Sequence, residues 1–201
     1  MTKEHYTWFD RWVANMRYRA AEKYIAPDSR VCDVGCGVDA LFLKRLVPLT
    51  RSRVGLDYQE ISDEVPGTQF LKVDVTGAFP LPDGTFDHVT LLAVIEHLED
   101  PSPVFKEAYR VLGPGGSLIV TWPHACVDQI LSVLWKMGVV SPTTECHKHQ
   151  PRKPADYFVG VLRDLGFVDI IHSTFELGLN NLLVATKMGQ SNFAPSGRLR
   201  V

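Results

Sequence analysis

No run of about 18 apolar residues interrupts these 201 residues, so the sequence predicts no helix that spans a bilayer. Neither sign of charge dominates. The 21 Lys and Arg against 23 Asp and Glu leave a net charge of −2, which offers no electrostatic footprint for nucleic acid. Four cysteines are too few for a disulfide scaffold, and Cys32 and Cys36 flank a glycine turn, a poor place for a zinc pair. The stretch MTKEHYTWFDRW carries charges and tryptophans where the apolar part of a signal peptide would stand. Reduced thiols in a cytoplasm are the expectation from these absences. There is no internal repeat and no low-complexity tract. What remains is 45% hydrophobic and 22% charged, of a size to fold as one domain with a full core.

The apolar patterning alternates strands and helices. Residues 5–25 predict a helix with a dense aromatic set, Tyr6, Trp8, Phe9, Trp12, Tyr18 and Tyr24. The simpler reading docks it on the core through Trp8, Trp12 and Tyr24. The sharper one makes it a lid, with Tyr6, Arg17 or Tyr18 reaching a ligand carboxylate. VCDVG is a strand without polar alternation, as expected of a strand buried on both faces of a parallel sheet. Residues 39–47 read as a helix, followed by the strands SRVGLD, TQFLKVDV and FDHVTLLAV. DPSPVFKEAYRVL is a helix with proline in its first turn, and GPGG beyond it reads as its stop. SLIVTWP is a fifth strand and PADYFVGVLRDLG a further helix. FVDIIHSTF and NNLLVATK read as a closing antiparallel pair. The expected fold is a three-layer α/β sandwich on a seven-stranded, mostly parallel sheet with the last strand antiparallel. One domain is expected over 1–188, with a helical cap at 1–28, an insertion at 123–153 and a flexible tail at 189–201.

The stretch SRVCDVGCGVDALFLKRL, residues 29–46, reads as strand, glycine turn and helix, a cradle for a nucleotide. As G-x-G-x-x-A (Gly35, Gly37, Ala40) it fits a dinucleotide loosely. As D-x-G-x-G it suits a cofactor with a sulfonium and no phosphate. A pyrophosphate wants bare helix amides and no competing negative charge. Here Asp33 precedes the turn, and Asp39 is expected to cap the helix. S-adenosylmethionine offers an ammonium and a sulfonium, and acids near the turn suit it. Asp57, at the end of the second strand, can accept both ribose hydroxyls. Asp74 with Val75, after the third strand, suits an adenine: the carboxylate takes the exocyclic amine and the valine covers the ring.

VCDVGCG, VGLDYQE, LKVDVTGAFPLPDGTFDHVTLLAVIEHLEDP and FKEAYRVLGPGGSLIVTWP together resemble the successive motifs of class I S-adenosylmethionine-dependent methyltransferases, in the small-molecule branch related to ubiquinone biosynthesis. The likeness covers residues 30–123 closely. It implies a Rossmann-like fold, S-adenosyl-L-methionine as cofactor and a small-molecule acceptor. It also implies a cofactor site of Asp33, Gly35, Cys36 and Gly37 at the methionine part and Asp57 with Tyr58 at the ribose. Asp74 and Val75 would lie at the adenine, and Leu91, Leu92 and His97 beside the methionine end. Two positions depart from the pattern: Asp39 stands where the family commonly has a third glycine, and Ala93 where many relatives carry a polar residue.

The resemblance places the acceptor on the side of residues 123–153. There HACVDQILSVLWKMGVV is apolar on nearly every face and open to three readings: buried core, a homodimer face, or the wall of an apolar acceptor pocket. ECHKH (145–149) puts its ligand types side by side with no second cluster at zinc-finger spacing, so no metal is expected. A hydroxyl acceptor would need a base, for which His97, His124, His147 and His149 are the candidates. The expected activity is methyl transfer, with two alternatives. One is a methyltransferase-like binding partner that has lost activity. The other is an NAD-dependent oxidoreductase, for which the chain has no room for a substrate domain.

Overall fold

The computed structural model describes residues 8–61, 64–124 and 153–189, with side chains from residue 12 onward. Strands β1 (Arg30–Val34), β2 (Ser52–Asp57), β3 (Thr68–Lys72), β4 (Phe86–Leu92), β5 (Leu112–Pro123), β6 (Phe167–Phe175) and β7 (Asn180–Lys187) form one sheet in the order β3-β2-β1-β4-β5-β7-β6. All pairs are parallel except those of β7, which runs antiparallel to both β5 and β6. The chain steps outward from β1 to β3 and then crosses to β4. The carboxyl ends of β1 and β4 therefore flank the switch point, where open α/β sheets bind ligands.

Two layers of helix cover the sheet, as the uninterrupted apolar strands require. On one face lie α3 (Ser102–Val111) and α4 (Ala155–Asp164). They bury Val104, Phe105, Ala108, Phe158 and Leu162 against Cys32, Val34, Leu91 and Leu118. On the other lie α1 (Trp8–Glu22) and α2 (Leu41–Leu46). Ala20, Ala21, Phe42 and Leu46 pack there on Val31, Ile119, Leu182 and Val184. Alternation along β1 puts Cys32 and Val34 on the first face and Val31 and Asp33 on the second. At the amino ends of the strands, the Ala26 N–H donates to His88 Nε2, and the Arg30 guanidinium pairs with Asp87. α1 packs on the sheet through Ala20, Ala21 and the half-buried Tyr18, while Trp12 is 50% and Tyr24 36% exposed.

Three local expectations are corrected. Asp39 does not cap α2. The glycine turn runs one residue further than expected, Ala40 takes the boundary position at φ 43°, and no side chain bonds the first amides. The helix is accordingly six residues long, not nine. β3 stops at Lys72, because Asp74 leaves the ladder to accept bonds from its own neighbour Thr76. GPGG is not free punctuation after α3 but part of β5. Leu112 pairs with Phe86 and Ser117 with His88, so residues 113–116 bulge from the ladder. A Cβ on Gly116 would stand 2.9 Å from the Gly113 carbonyl, which is why the bulge is glycine-rich.

The missing cap gives a direct test. Asp39→Ala should leave the urea midpoint unchanged within about 0.5 kcal/mol. A loss of about 1 kcal/mol would be the mark of a working N-cap.

Candidate functional site

The site grows from the two positive-φ glycines that follow β1. Gly35 (φ 73°) and Cys36 both donate their N–H to the Leu56 carbonyl, at 2.7 and 3.2 Å, which folds the chain back over the end of β2. Gly37 (φ 70°) then donates its N–H to Asp57 Oδ2 at 2.9 Å. The other carboxylate oxygen, Oδ1, accepts the Gln59 N–H at 2.9 Å. Asp57 is buried, so one carboxylate holds the glycine turn on one side and the turn after β2 on the other. Each of its oxygens keeps a lone pair for a further donor.

Asp33 lies beneath this turn, paired across the ladder with Thr90 of β4. It accepts the Thr90 hydroxyl on Oδ1 at 2.6 Å. Burial pushes its carboxyl up to about 7; the Thr90 bond pulls it down, and the nearby Asp57 charge pushes it up again. An acid held near neutrality at the end of β1 is poised for a cationic group. Sequence reasoning missed Thr90, though a lone hydroxyl in the apolar run of β4 was a signal for it.

β4 ends at Leu92, and Ala93 follows at φ 60° with its N–H on the Thr121 carbonyl at 3.0 Å. This left-handed step turns Val94 toward Gly35: a Cβ on Gly35 would stand 2.5 Å from Val94 Cγ2. The glycine is thus required both by its φ and by the close passage of β4's exit. His97 sits three residues beyond Val94 on a 3-10 turn (Ile95–His97) and is exposed. Leu91 is fully buried on the α3 face, and Leu92 is half-buried on the α1 face.

The remaining candidates sort themselves by position. The Cys36 thiol turns into a small apolar cluster with Ala40, Leu43 and Val65, and burial raises it far above its ordinary range. Tyr58 is 67% exposed beside Asp57. Asp74 is exposed and accepts both the hydroxyl and the N–H of Thr76, at 2.7 and 2.9 Å; these bonds hold its carboxyl below the usual range. The Val73 N–H reaches the Asp57 carbonyl at 2.8 Å, which keeps Asp74 and the half-buried Val75 on the same rim. His124 is exposed just past β5. His147, His149, the ECHKH group and the apolar stretch 124–140 lie outside the described residues beyond His124. Among the described residues no cluster of His, Cys, Asp and Glu could hold a metal, and no helix is long and apolar enough to cross a membrane.

The structure thus brings Asp33, Gly35, Gly37 and Asp57 together at the switch point, with Gly37 bonded to Asp57, and sets Asp74 and His97 along the same rim. Residues 32–120 match the family model of the methyltransferase domain.

Over that stretch the chain is similar to the methyltransferase domain.

The chain is 32% identical over 128 residues to a protein of Mycolicibacterium smegmatis named "Probable S-adenosylmethionine-dependent methyltransferase", covering 62% of this chain and 48% of that one. It is 25% identical over 197 residues to a ubiquinone/menaquinone biosynthesis C-methyltransferase of Geotalea daltonii, covering 85% of this chain and 84% of that one. This chain therefore spans about half the length of the mycobacterial relative but most of the second. The same fold is seen in an S-adenosylmethionine-dependent methyltransferase of Mesorhizobium loti, with a TM-score of 0.66 at 18% identity, covering 86% of this chain and 98% of that one. The expected seven-stranded methyltransferase sheet is the one observed.

The two glycines of the turn separate in their demands. Gly35→Ala should cost about 2–4 kcal/mol in urea unfolding, from a strained φ plus the collision with Val94. Gly37→Ala, with nothing within 4 Å of its added Cβ, should cost only about 1–2 kcal/mol.

Asp33 gives a pH signature. Its folded-state carboxyl titrates above its unfolded value of 3.8. The stability it contributes is therefore complete below that value and is lost as pH rises through about 7. Asp33→Asn, neutral throughout, should match the parent at pH 4 and exceed it by about 0.5–2 kcal/mol at pH 8. A cationic ligand has the opposite preference, because it favours the carboxylate. Calorimetric affinity for S-adenosylhomocysteine, which keeps the ammonium, should fall about tenfold from pH 8 to pH 6, and the asparagine variant should flatten that slope.

Proposed function

We propose that this chain transfers a methyl group from S-adenosylmethionine to a small-molecule acceptor in the cytoplasm. The observation that carries the reading is the acidic, phosphate-averse turn. Asp57 is buried with both oxygens already bonded to backbone N–H groups, and Asp33 is buried below it. A diphosphate meeting that pair would face two carboxylates, whereas an ammonium and a sulfonium gain from them. Two buried free thiols, Cys32 and Cys36, fit a reducing compartment. The net charge of −2 fits a small acceptor better than a nucleic acid, as does the ubiquinone/menaquinone biosynthesis in the name of the Geotalea relative.

The residues present suit the cofactor part by part. Asp33 and the backbone of Gly35, Cys36 and Gly37 would hold its methionine end, with Leu91, Leu92 and His97 beside them. Asp57, with Tyr58 at its edge, would take the ribose hydroxyls on its two spare lone pairs. Asp74 and Val75 would take the adenine. When bound, the cofactor supplies a methyl carbon on a sulfonium whose departure leaves a neutral thioether. The chain's own part is alignment, since the leaving group needs no further activation. The Asp57 clamp fixes the turn before ligand arrives, so little ordering remains to be done on binding. A hydroxyl acceptor needs its proton removed, and His97, at the exit of β4, is the described histidine nearest the methionine end in chain order; His124, His147 and His149 are the further candidates. A carbon acceptor of the quinol kind carries its own activated ring. Helix α1 and residues 123–153 would enclose the acceptor.

Titration with S-adenosylhomocysteine should give micromolar affinity, with NADH as the negative control. Asp57→Ala should weaken it at least tenfold, because it removes a charged acceptor of two backbone bonds as well as the ribose partner. Binding of NADH in preference would overturn the cofactor assignment. Cofactor binding with no S-adenosylhomocysteine formed from S-adenosylmethionine across phenols, quinols and amines would leave a binding partner, not an enzyme.

A further inference from the structure

On the α1 face of the sheet, one strand beyond the cofactor cleft, four buried side-chain atoms have no hydrogen-bond partner among the described residues: Arg17 Nε, Thr121 Oγ1, Glu176 Oε1 and Asn180 Oδ1. Thr121 pairs across the ladder with Leu182, and Leu182 packs in the α1-side cluster. Asn180, two residues before Leu182, shares that face with Thr121. Arg17 lies one helical turn before Ala20 and Ala21, which touch the sheet. Glu176 joins the group through the turn between β6 and β7. Its Oε2 accepts the Asn180 amide N–H, and the Arg17 charge favours its ionised form while burial opposes it.

The position relates this recess to the reaction. Ala93, at the exit of β4, donates its N–H to the carbonyl of Thr121 itself. Asp33 and Thr90 lie on the same face as Thr121, at the same carboxyl rim. Thr121 is fully buried and Asn180 is 4% exposed, while Arg17 and Glu176 are half-buried at the carboxyl rim. A buried polar atom left without a partner costs free energy, and four gathered at one place are the signature of a site that finds its partners in a ligand. Three of the four are oxygens that accept. Arg17 balances the charge of Glu176, so the recess does not call for a cation.

We propose that Thr121, Glu176 and Asn180 anchor the polar end of the methyl acceptor by accepting its hydroxyl or amino hydrogens, while Arg17 Nε–H donates to the heteroatom of that neutral, donor-bearing group. This deepens the proposed methyl transfer and rests on it for the identity of the ligand as an acceptor. The recess would set which end of the acceptor faces the cofactor, because only the donor-bearing end satisfies its oxygens.

The test uses three ring compounds of one shape: hydroquinone, 4-methoxyphenol and 1,4-dimethoxybenzene, which carry two, one and no donors. Binding to the full chain is read by titration, with the melting curve and S-adenosylhomocysteine affinity as fold controls. 4-Methoxyphenol, which keeps one donor-bearing end, should bind within about twofold of hydroquinone, and 1,4-dimethoxybenzene at least about tenfold more weakly. Thr121→Val keeps the shape and removes an unpartnered hydroxyl. Glu176→Gln replaces an acceptor oxygen with a donor. Both should flatten the series with the melting curve intact. A flat series in the parent chain, no binding by any of the three, or variants that leave hydroquinone affinity unchanged would each overturn the anchor. Loss of the series with intact S-adenosylhomocysteine binding would sink the anchor alone. A sloped series without S-adenosylhomocysteine binding would sink the methyl-transfer reading and leave the recess as a donor-recognition site.

Discussion

Asp57 touches Gly37 through one oxygen and Gln59 through the other, and much of the active rim follows from that pair of bonds. A glycine turn alone is a loose element, since its residues have the widest conformational choice in the chain. Bolting it to the end of the neighbouring strand converts that freedom into one defined curve. Gly35 and Cys36 close the same curve from the other side through the Leu56 carbonyl. The carboxylate is therefore a structural bracket, and the ribose role proposed for it would use different lone pairs.

Beneath that bracket the protein keeps a second acid at a cost. Asp33 would be more comfortable as an amide: it is buried, it neighbours another carboxylate, and Thr90 donates to only one of its oxygens among the described residues. Groups held away from their preferred ionisation state in a cleft mark functional positions, because stability alone would have removed them. The unpartnered oxygens of the β5–β7 recess belong to the same kind of expense. Both lie on the α1 face, whereas the α3 face is filled by apolar side chains.

Much of the fold was legible because parallel strands announce themselves as unbroken apolar runs. β1, β2 and β4, the closing hairpin and α3 stand where their patterns place them, and the order of motifs carried the resemblance. What misled were short-range rules applied at places where tertiary contact decides. Asp39 has the chemistry of a cap, but the positive φ at Ala40 moved the helix start past it. GPGG has the chemistry of a stop, but pairing of Leu112 with Phe86 drew it into the ladder. Thr90 was missed for a different reason: its hydroxyl stands out in the apolar run of β4, but its partner Asp33 lies 57 residues away.

The reversal of β7 decides how this sheet meets its ligands at the far end. A parallel strand delivers its last residue to the carboxyl rim and must then be followed by a long crossover. An antiparallel one delivers its first, preceded by the tight link of residues 176–179 that joins it to β6. Such a link can lengthen, shorten or change its side chains without disturbing either strand's register, because both are already pinned by their neighbours. The hairpin thus gives a rigid scaffold one interchangeable fitting on its carboxyl rim, which can change while the glycine turn across the sheet stays fixed.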